Sequence, residues 1–257
     1  MNKNSVTLTL IDGPTLLIEL GGLRLLTDPT FDEPQAFTSG GATERKFNSP
    51  PVSAESLLPI DAVLLSHDQH LDNLDPAGRA FLPKAGKVIS TIDAAKRLGG
   101  NTEGLAPWLS TELSLADGRA LTITATPARH GPVGIEAVTG HVTGFVLSIE
   151  GSKDVYVSGD TVWFPELAEI PRRFDIGVAI LFAGAAQPRG PFNVTMDSND
   201  AIEAASVFLG ATIVAIHNLG WSHYTQSQQD LVKAFETVGI ADRIQKLEPA
   251  VAATIAI

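Results

Sequence analysis

The stretch Ser66-His67-Asp68-Gln69-His70-Leu71-Asp72-Asn73-Leu74-Asp75 decides how the rest of the chain is read. Residues 67–73 hold two imidazoles, two carboxylates and two carboxamides, directly after the apolar run DAVLLS at 61–66. A run of that kind predicts a short buried strand that stops abruptly in polar residues. Strand ends are where a rigid scaffold presents chemistry to solvent. Neutral imidazole nitrogen and carboxylate oxygen are the donors that hold zinc or manganese. The chain contains no cysteine, so any metal must rest on His, Asp, Glu or Asn.

Working outward, the six histidines are His67, His70, His130, His141, His217 and His223, and five of them stand just past an apolar strand-like run or in the loop after one. A single histidine so placed is more often packed or merely exposed. It is the shared placement that points to a site. Upstream, Val6–Leu10, Leu16–Leu20 and Leu23–Thr27 read as strands, and Gly21-Gly22 is a two-residue hairpin signal. Downstream, strands are expected at Val88–Thr91, Leu121–Thr126, Val142–Ile149, Asp154–Val157, Ile176–Phe182 and Thr212–Ile216. Helices are expected at Asp75–Leu82, Ile92–Leu98, Ser198–Leu209 and Gln226–Val238, the third capped by Asp197 or Ser198 and the last by Thr225. Regular strand–helix alternation and a glycine-rich phosphate loop are both missing, which favours an α/β sandwich over a doubly wound sheet. Thr30–Pro59, dense in Pro, Gly and Ser, reads as an irregular lid or rim.

Composition sets the outer limits. The 257 residues are 44% hydrophobic and 18% charged, a globular balance. Eighteen basic against 29 acidic residues leave a net charge of −11, a field that repels phosphate backbones and anionic lipid. Nucleic acid and membrane insertion are therefore not expected. The longest uncharged apolar run, Ile176 to Ala186, is well below the ~18 residues of a membrane span, and no secretory pattern opens the chain. A cytoplasmic protein is expected, and the net charge leaves a small anionic substrate open, because a local metal or arginine can override the global field.

The cluster at 67–73 resembles the His-x-His-x-Asp-His signature of the metallo-β-lactamase superfamily. Other segments agree in order and spacing: Leu25-Leu26-Thr27-Asp28-Pro29, Thr126-Pro127-Ala128-Arg129-His130-Gly131-Pro132, Ser158-Gly159-Asp160-Thr161, and Ile216-His217 with Gly220-Trp221-Ser222-His223. Thr-Asp-Pro, Pro-Ala-Arg-His and Thr195-Met196-Asp197 are most similar to the branch with ascorbate-phosphate lactonase and N-acyl-phosphatidylethanolamine phospholipase D. The resemblance covers essentially the whole chain. It implies one domain over residues 1–257, folded as a four-layer αββα sandwich of two mixed β-sheets flanked by helices.

The resemblance also implies a ligand set. A first metal would take His67, His70 and His130. A second would take Asp72, His217 and, in a weaker role, Asn73, with Asp160 bridging both. Zn²⁺ is the implied ion, one or two per chain, with Mn²⁺ as the alternative. Asp72, Asp160 and His223 are the catalytic candidates, and Asp28 would orient a metal histidine. Two departures stand out. His67 and His70 are three apart where the family has two, so either one residue is inserted, the preferred alignment, or Gln69 replaces the second histidine. The family's next histidine is Asn73, which predicts a weakened second site and leaves room for Asp68 to compensate. Arg129 is a candidate contact for an anionic substrate, while His141 stays outside the metal shell. The implied activity is metal-dependent hydrolysis of an ester-type bond, lactone or phosphodiester, in a small-molecule substrate, a soluble metabolite. The rival is a metal-binding protein with little turnover.

Overall fold

Apolar runs sort the strands of the computed structural model, which describes residues 4–39 and 42–257. The first half supplies β1 (Ser5–Asp12), β2 (Thr15–Leu20), β3 (Leu23–Thr27), the hairpin β4 (Gln35–Ser39) and β5 (Ala42–Lys46), β6 (Ala62–Leu64), α1 (Pro76–Phe81), β7 (Lys87–Thr91), α2 (Ile92–Leu98) and β8 (Thr102–Leu105). The second half supplies β9 (Ser110–Ser114), β10 (Ala120–Thr126), α3 (Glu136–Thr139), β11 (Gly144–Ile149), β12 (Asp154–Val157), α4 (Ile170–Arg173), β13 (Ile176–Phe182), α5 (Ser198–Val207), β14 (Thr212–Ile216), α6 (Gln228–Thr237), β15 (Ile244–Gln245) and β16 (Ala252–Ala256).

Two seven-stranded sheets result, ordered β16-β1-β2-β3-β6-β7-β8 and β15-β14-β13-β12-β11-β10-β9. Both are mixed. In the first sheet β16, β1, β2 and β3 pair antiparallel, then β3, β6, β7 and β8 run parallel. In the second, β9 to β12 are antiparallel and β12 to β15 parallel. β13 shows how one sequence serves two faces: Val178, Ile180 and Phe182 pack between the sheets, while Ala179 and Leu181 join Ala201, Ala204 and Leu231 under α5 and α6. A third core under the first sheet gathers Leu26, Val63 and Leu65 against Phe81 and Leu82. Helices therefore cover both outer faces of a sheet pair. This is the mixed α/β sandwich expected from the sequence.

Some local readings change. α1 is capped by Asp75, whose carboxylate accepts from Gly78 N, and α5 by Asp197. α6 is capped by Ser227 in a reciprocal box with Asp230, not by Thr225, because the Ser–Asp pair satisfies two backbone donors at once. The Thr30–Pro59 segment is not irregular throughout. Its β4–β5 hairpin has paired strands, and Phe37 stacks on Trp221 with ring centroids 5.5 Å apart. Buried Lys46 lies 3.4 Å from both Asp12 Oδ2 and Asp75 Oδ2. The edge strands β8, β9 and β16 were not anticipated.

Candidate metal centre

Four strands end over the same rim, and each hands over one piece of chemistry. β6 leads into His67, β10 into His130, β12 into Asp160 and β14 into His217. The turn before Asp160 needs glycine: Gly159 has φ +59°, and a Cβ there would sit 2.5 Å from Thr143 O. Three non-glycine residues at the rim also have positive φ, namely Asp28 (29°), Ala185 (49°) and His217 (60°). Backbone of this kind costs on the order of 1–3 kcal/mol per residue and collects at functional sites.

His67, His70 and His130 converge. His67 Nε2 lies 2.8 Å from His70 Nδ1, and His130 Nε2 lies 3.0 Å from the same atom. The outer nitrogens fix the tautomers. His130 Nδ1 donates to Val194 O at 2.6 Å, so its Nε2 carries a lone pair. Ser66 Oγ donates to Asp28 Oδ1 at 2.6 Å and accepts from His67 Nδ1 at 2.9 Å, so His67 Nε2 is bare as well. Burial pushes His67 and His70 down and His130 down to about 3, so the rings are neutral. Two bare nitrogens thus face a third that holds at most one proton. A divalent cation fits that donor set, and no arrangement of protons satisfies it as well.

Asp160 stands between this triad and a second group. Its Oδ2 is 3.6 Å from His130 Nε2, and its Oδ1 is 3.5 Å from His217 Nε2. Burial pushes Asp160 up to about 7, against the pull of His217. Asp72 Oδ2 is 3.3 Å from His217 Nε2 and 2.8 Å from His223 Nε2. Burial would raise Asp72, yet His223 and His217 hold it well below the usual carboxylate range. Burial alone would lower His223, but Asp72 and Glu44 carry it above its ordinary value. Donor atoms of His67, His70, His130 and Asp160, of Asp72, Asp160 and His217, and of Glu44, Asp72 and His223 form three groups, each within 4.8 Å.

The remaining sequence candidates fall into place around these groups. His70 points into the triad, while Gln69 is exposed and its amide sits over Gly140. Asn73 turns its Nδ2 to Asp160 Oδ1 at 3.0 Å, so in this arrangement it donates to a carboxylate, and its own Oδ1 is buried without a partner. Asp68 is drawn away by a two-pronged ion pair with Arg97. Arg129 lies over the Phe164 ring, 4.9 Å from its centroid, and donates to Gly131 O, away from the triad. His141 is exposed and pairs with Asp93 at 2.9 Å. Asp28 reaches His67 through Ser66, an intermediary the sequence reading missed, and burial pushes it up to about 8. Glu44 and Tyr224 were missed too. Tyr224 directly follows His223 and is one of only two tyrosines, the one signal available.

The centre opens on a narrow cleft. His70, Asp72, His130, Asp160 and His223 contribute to its polar end, and Phe37, Leu71, Ile135, Phe192 and Val194 to its apolar wall. The β4–β5 hairpin supplies both Phe37 and Glu44.

The fold and the donor set are those of the metal-dependent hydrolases: a UPF0173 metal-dependent hydrolase of Pelotomaculum thermopropionicum is 30% identical over 190 residues, 71% of this chain and 77% of that one. A family profile described as "Beta-lactamase superfamily domain" matches residues 23–218, and the chain belongs to that superfamily. The Bacillus subtilis protein YddR is 25% identical over 248 residues, 93% of this chain and 96% of that one. An N-acyl-phosphatidylethanolamine-hydrolyzing phospholipase D of Caenorhabditis elegans is 25% identical over 252 residues, 90% of this chain and 70% of its own. The crystal structure of an isothiocyanate hydrolase from Delia radicum gut bacteria superposes with a TM-score of 0.84 at 27% identity, covering 98% of this chain and 100% of that one. No helix among the described residues is long and apolar enough to cross a membrane.

Proposed function

We propose that the protein hydrolyses an ester-type bond, lactone or phosphodiester, in a small molecule with an apolar portion. The convergence of bare His67 and His130 nitrogens on His70, beside Asp160 at the polar end of an apolar-walled cleft, carries this reading. His67, His70, His130 and Asp160 would hold one ion, and Asp72, Asp160 and His217 a second, with zinc favoured by the imidazole-rich first set. A divalent ion held there would supply a water whose pKa falls from 15.7 to about 7 and a positive charge to polarise the bond under attack. Asp160, steadied by Asn73 Nδ2 at 3.0 Å, is placed to take a proton from attacking water. His223 donates to Asp72 at 2.8 Å and lines the cleft, where it can deliver a proton to a departing oxygen. Phe37, Leu71 and Phe192 exclude water from the apolar part of the substrate.

A second reading has a specific motive. The same apolar wall suits an isothiocyanate, the substrate class of the structural relative, in which the electrophile is a carbon without a leaving oxygen. A panel of lactones, phosphodiesters and isothiocyanates, run on metal-loaded and metal-free protein, separates these classes. Metal-dependent turnover of lactone or phosphodiester is the expected result. Turnover confined to isothiocyanates moves the assignment to the second reading, and no metal-dependent turnover on any class supports a binding protein.

A further inference from the structure

Asn73 removes an imidazole from the second donor group, which the sequence alone reads as a weakened site. The geometry points to a replacement. A tetrahedral ion with bonds of about 2.0–2.2 Å sets its donor atoms roughly 3.3–3.6 Å apart. His217 Nε2 lies 3.3 Å from Asp72 Oδ2 and 3.5 Å from Asp160 Oδ1, two edges of such a figure. Tyr224 Oη lies 3.3 Å from Asp72 Oδ2, inside that range, and 3.0 Å from His217 Nε2, a few tenths of an ångström short of it, so it offers a fourth oxygen beside the two edges. We infer that the Tyr224 hydroxyl is the fourth donor to the second ion, making up for the imidazole that position 73 lacks.

The hydroxyl's position follows from the way its segment is fastened. Tyr224 bridges to Ala186, Gln187 N donates to His223 O at 2.9 Å, and Thr225 N donates to Gly184 O at 3.0 Å. Its ring is wedged between the rings of His217 and His223, with centroids 4.5 and 4.6 Å away. Gly184 allows this closeness, since a Cβ there would fall 2.0 Å from His217 O. The rival occupant of the vertex, Glu44 with His223, is accounted for otherwise: His223 Nε2 already donates to Asp72 Oδ2 at 2.8 Å and has no lone pair to offer there. A phenolate oxygen is a hard anionic donor, so the exchange from imidazole keeps the site strong and moves its preference toward oxygen-seeking ions such as Mn²⁺. As the oxygen–metal bond forms, the phenolic proton passes to the buffer.

The inference rests on the metal-centre reading above, not on the reaction assigned to it. Only Tyr156 and Tyr224 are present, and Tyr156 is buried against Phe208 in the outer core, so a tyrosinate signal reports on Tyr224. Metal-free protein should be titrated with Zn²⁺ while the near-ultraviolet tyrosinate difference band and the bound metal per chain are followed. Wild type is expected to bind two ions, the band growing with the second alone. Tyr224→Phe should keep the first ion at unchanged affinity, bind the second about tenfold or more weakly and show no band. A second ion bound without the band, a wild type that stops at one ion, or a Tyr224→Phe variant with two unchanged affinities would each overturn the inference. Two ions and the band without turnover on any substrate would sustain it while removing the hydrolytic reading.

Discussion

At the scale of single residues, the centre depends on side chains that never reach the cleft. Ser66 holds two roles with one hydroxyl, donating to Asp28 Oδ1 and accepting from His67 Nδ1. That pair of bonds fixes which imidazole nitrogen is bare. Ser66→Ala removes the acceptor behind His67 and leaves Asp28, fully buried, with the backbone N–H of residue 66 and the Asn73 side chain. Metal affinity of the first site is expected to fall about 10–100-fold, a size known for lost support of a ligating histidine. Competition against a chromophoric chelator measures it, and an unchanged affinity would show the relay to be idle. Asp28 was legible in the sequence because Thr-Asp-Pro follows a strand. Ser66 was not, because its role comes from the opposing loop that carries Asp28, and Tyr224 was not, because its contact with Asp72 spans 152 positions and arises only in the fold.

Elements explain why those residues meet. Parallel strands must end at the same rim as their neighbours, so β6 and β12 deliver His67 and Asp160 without help from the loops' own preferences. The β4–β5 hairpin is different, since it closes the cleft from outside both sheets. Its anchor is Lys46, fully buried between Asp12 and Asp75, with the ammonium 6.0 Å from the centre of the Trp221 ring. Asp75 at the same time caps α1 and accepts from Asp32 N at 2.7 Å, tying the hairpin's base to the motif helix. Lys46→Met would leave two carboxylates buried without their counter-charge. Removing one partner of such a group costs about 3–5 kcal/mol. Denaturant unfolding of wild type and variant at fixed metal concentration checks this, and a loss below 1 kcal/mol would mean the hairpin is held by its aromatic contacts instead. The sequence showed Arg45 and Lys46 inside a Pro- and Gly-rich segment, but nothing local marks a lysine for burial. Both of its partners lie far along the chain.

At the scale of the molecule, the sequence announced the two sheets through the apolar runs of β1 to β3 and β10 to β14. It did not announce β16, which alternates exposed and half-buried residues at an edge and pairs with β1 from the far end of the chain. Edge strands carry half the apolar pattern of central ones, so their signal fades first. The donors come from both sheets. His67 follows a strand of the first, and His130, Asp160 and His217 follow strands of the second. A metal held among them would tie the sheets together at one rim, and its binding free energy would become folding free energy. The proposed chemistry stands or falls with metal binding by the His67, His70, His130 and Asp160 group. Elemental analysis of protein exposed to Zn²⁺ or Mn²⁺ and then desalted tests it most directly, with wild type beside His130→Ala. At least one ion per chain is expected in the wild type, and loss of that ion in His130→Ala. A wild type that retains no metal, or a variant that retains as much as the wild type, would contradict it.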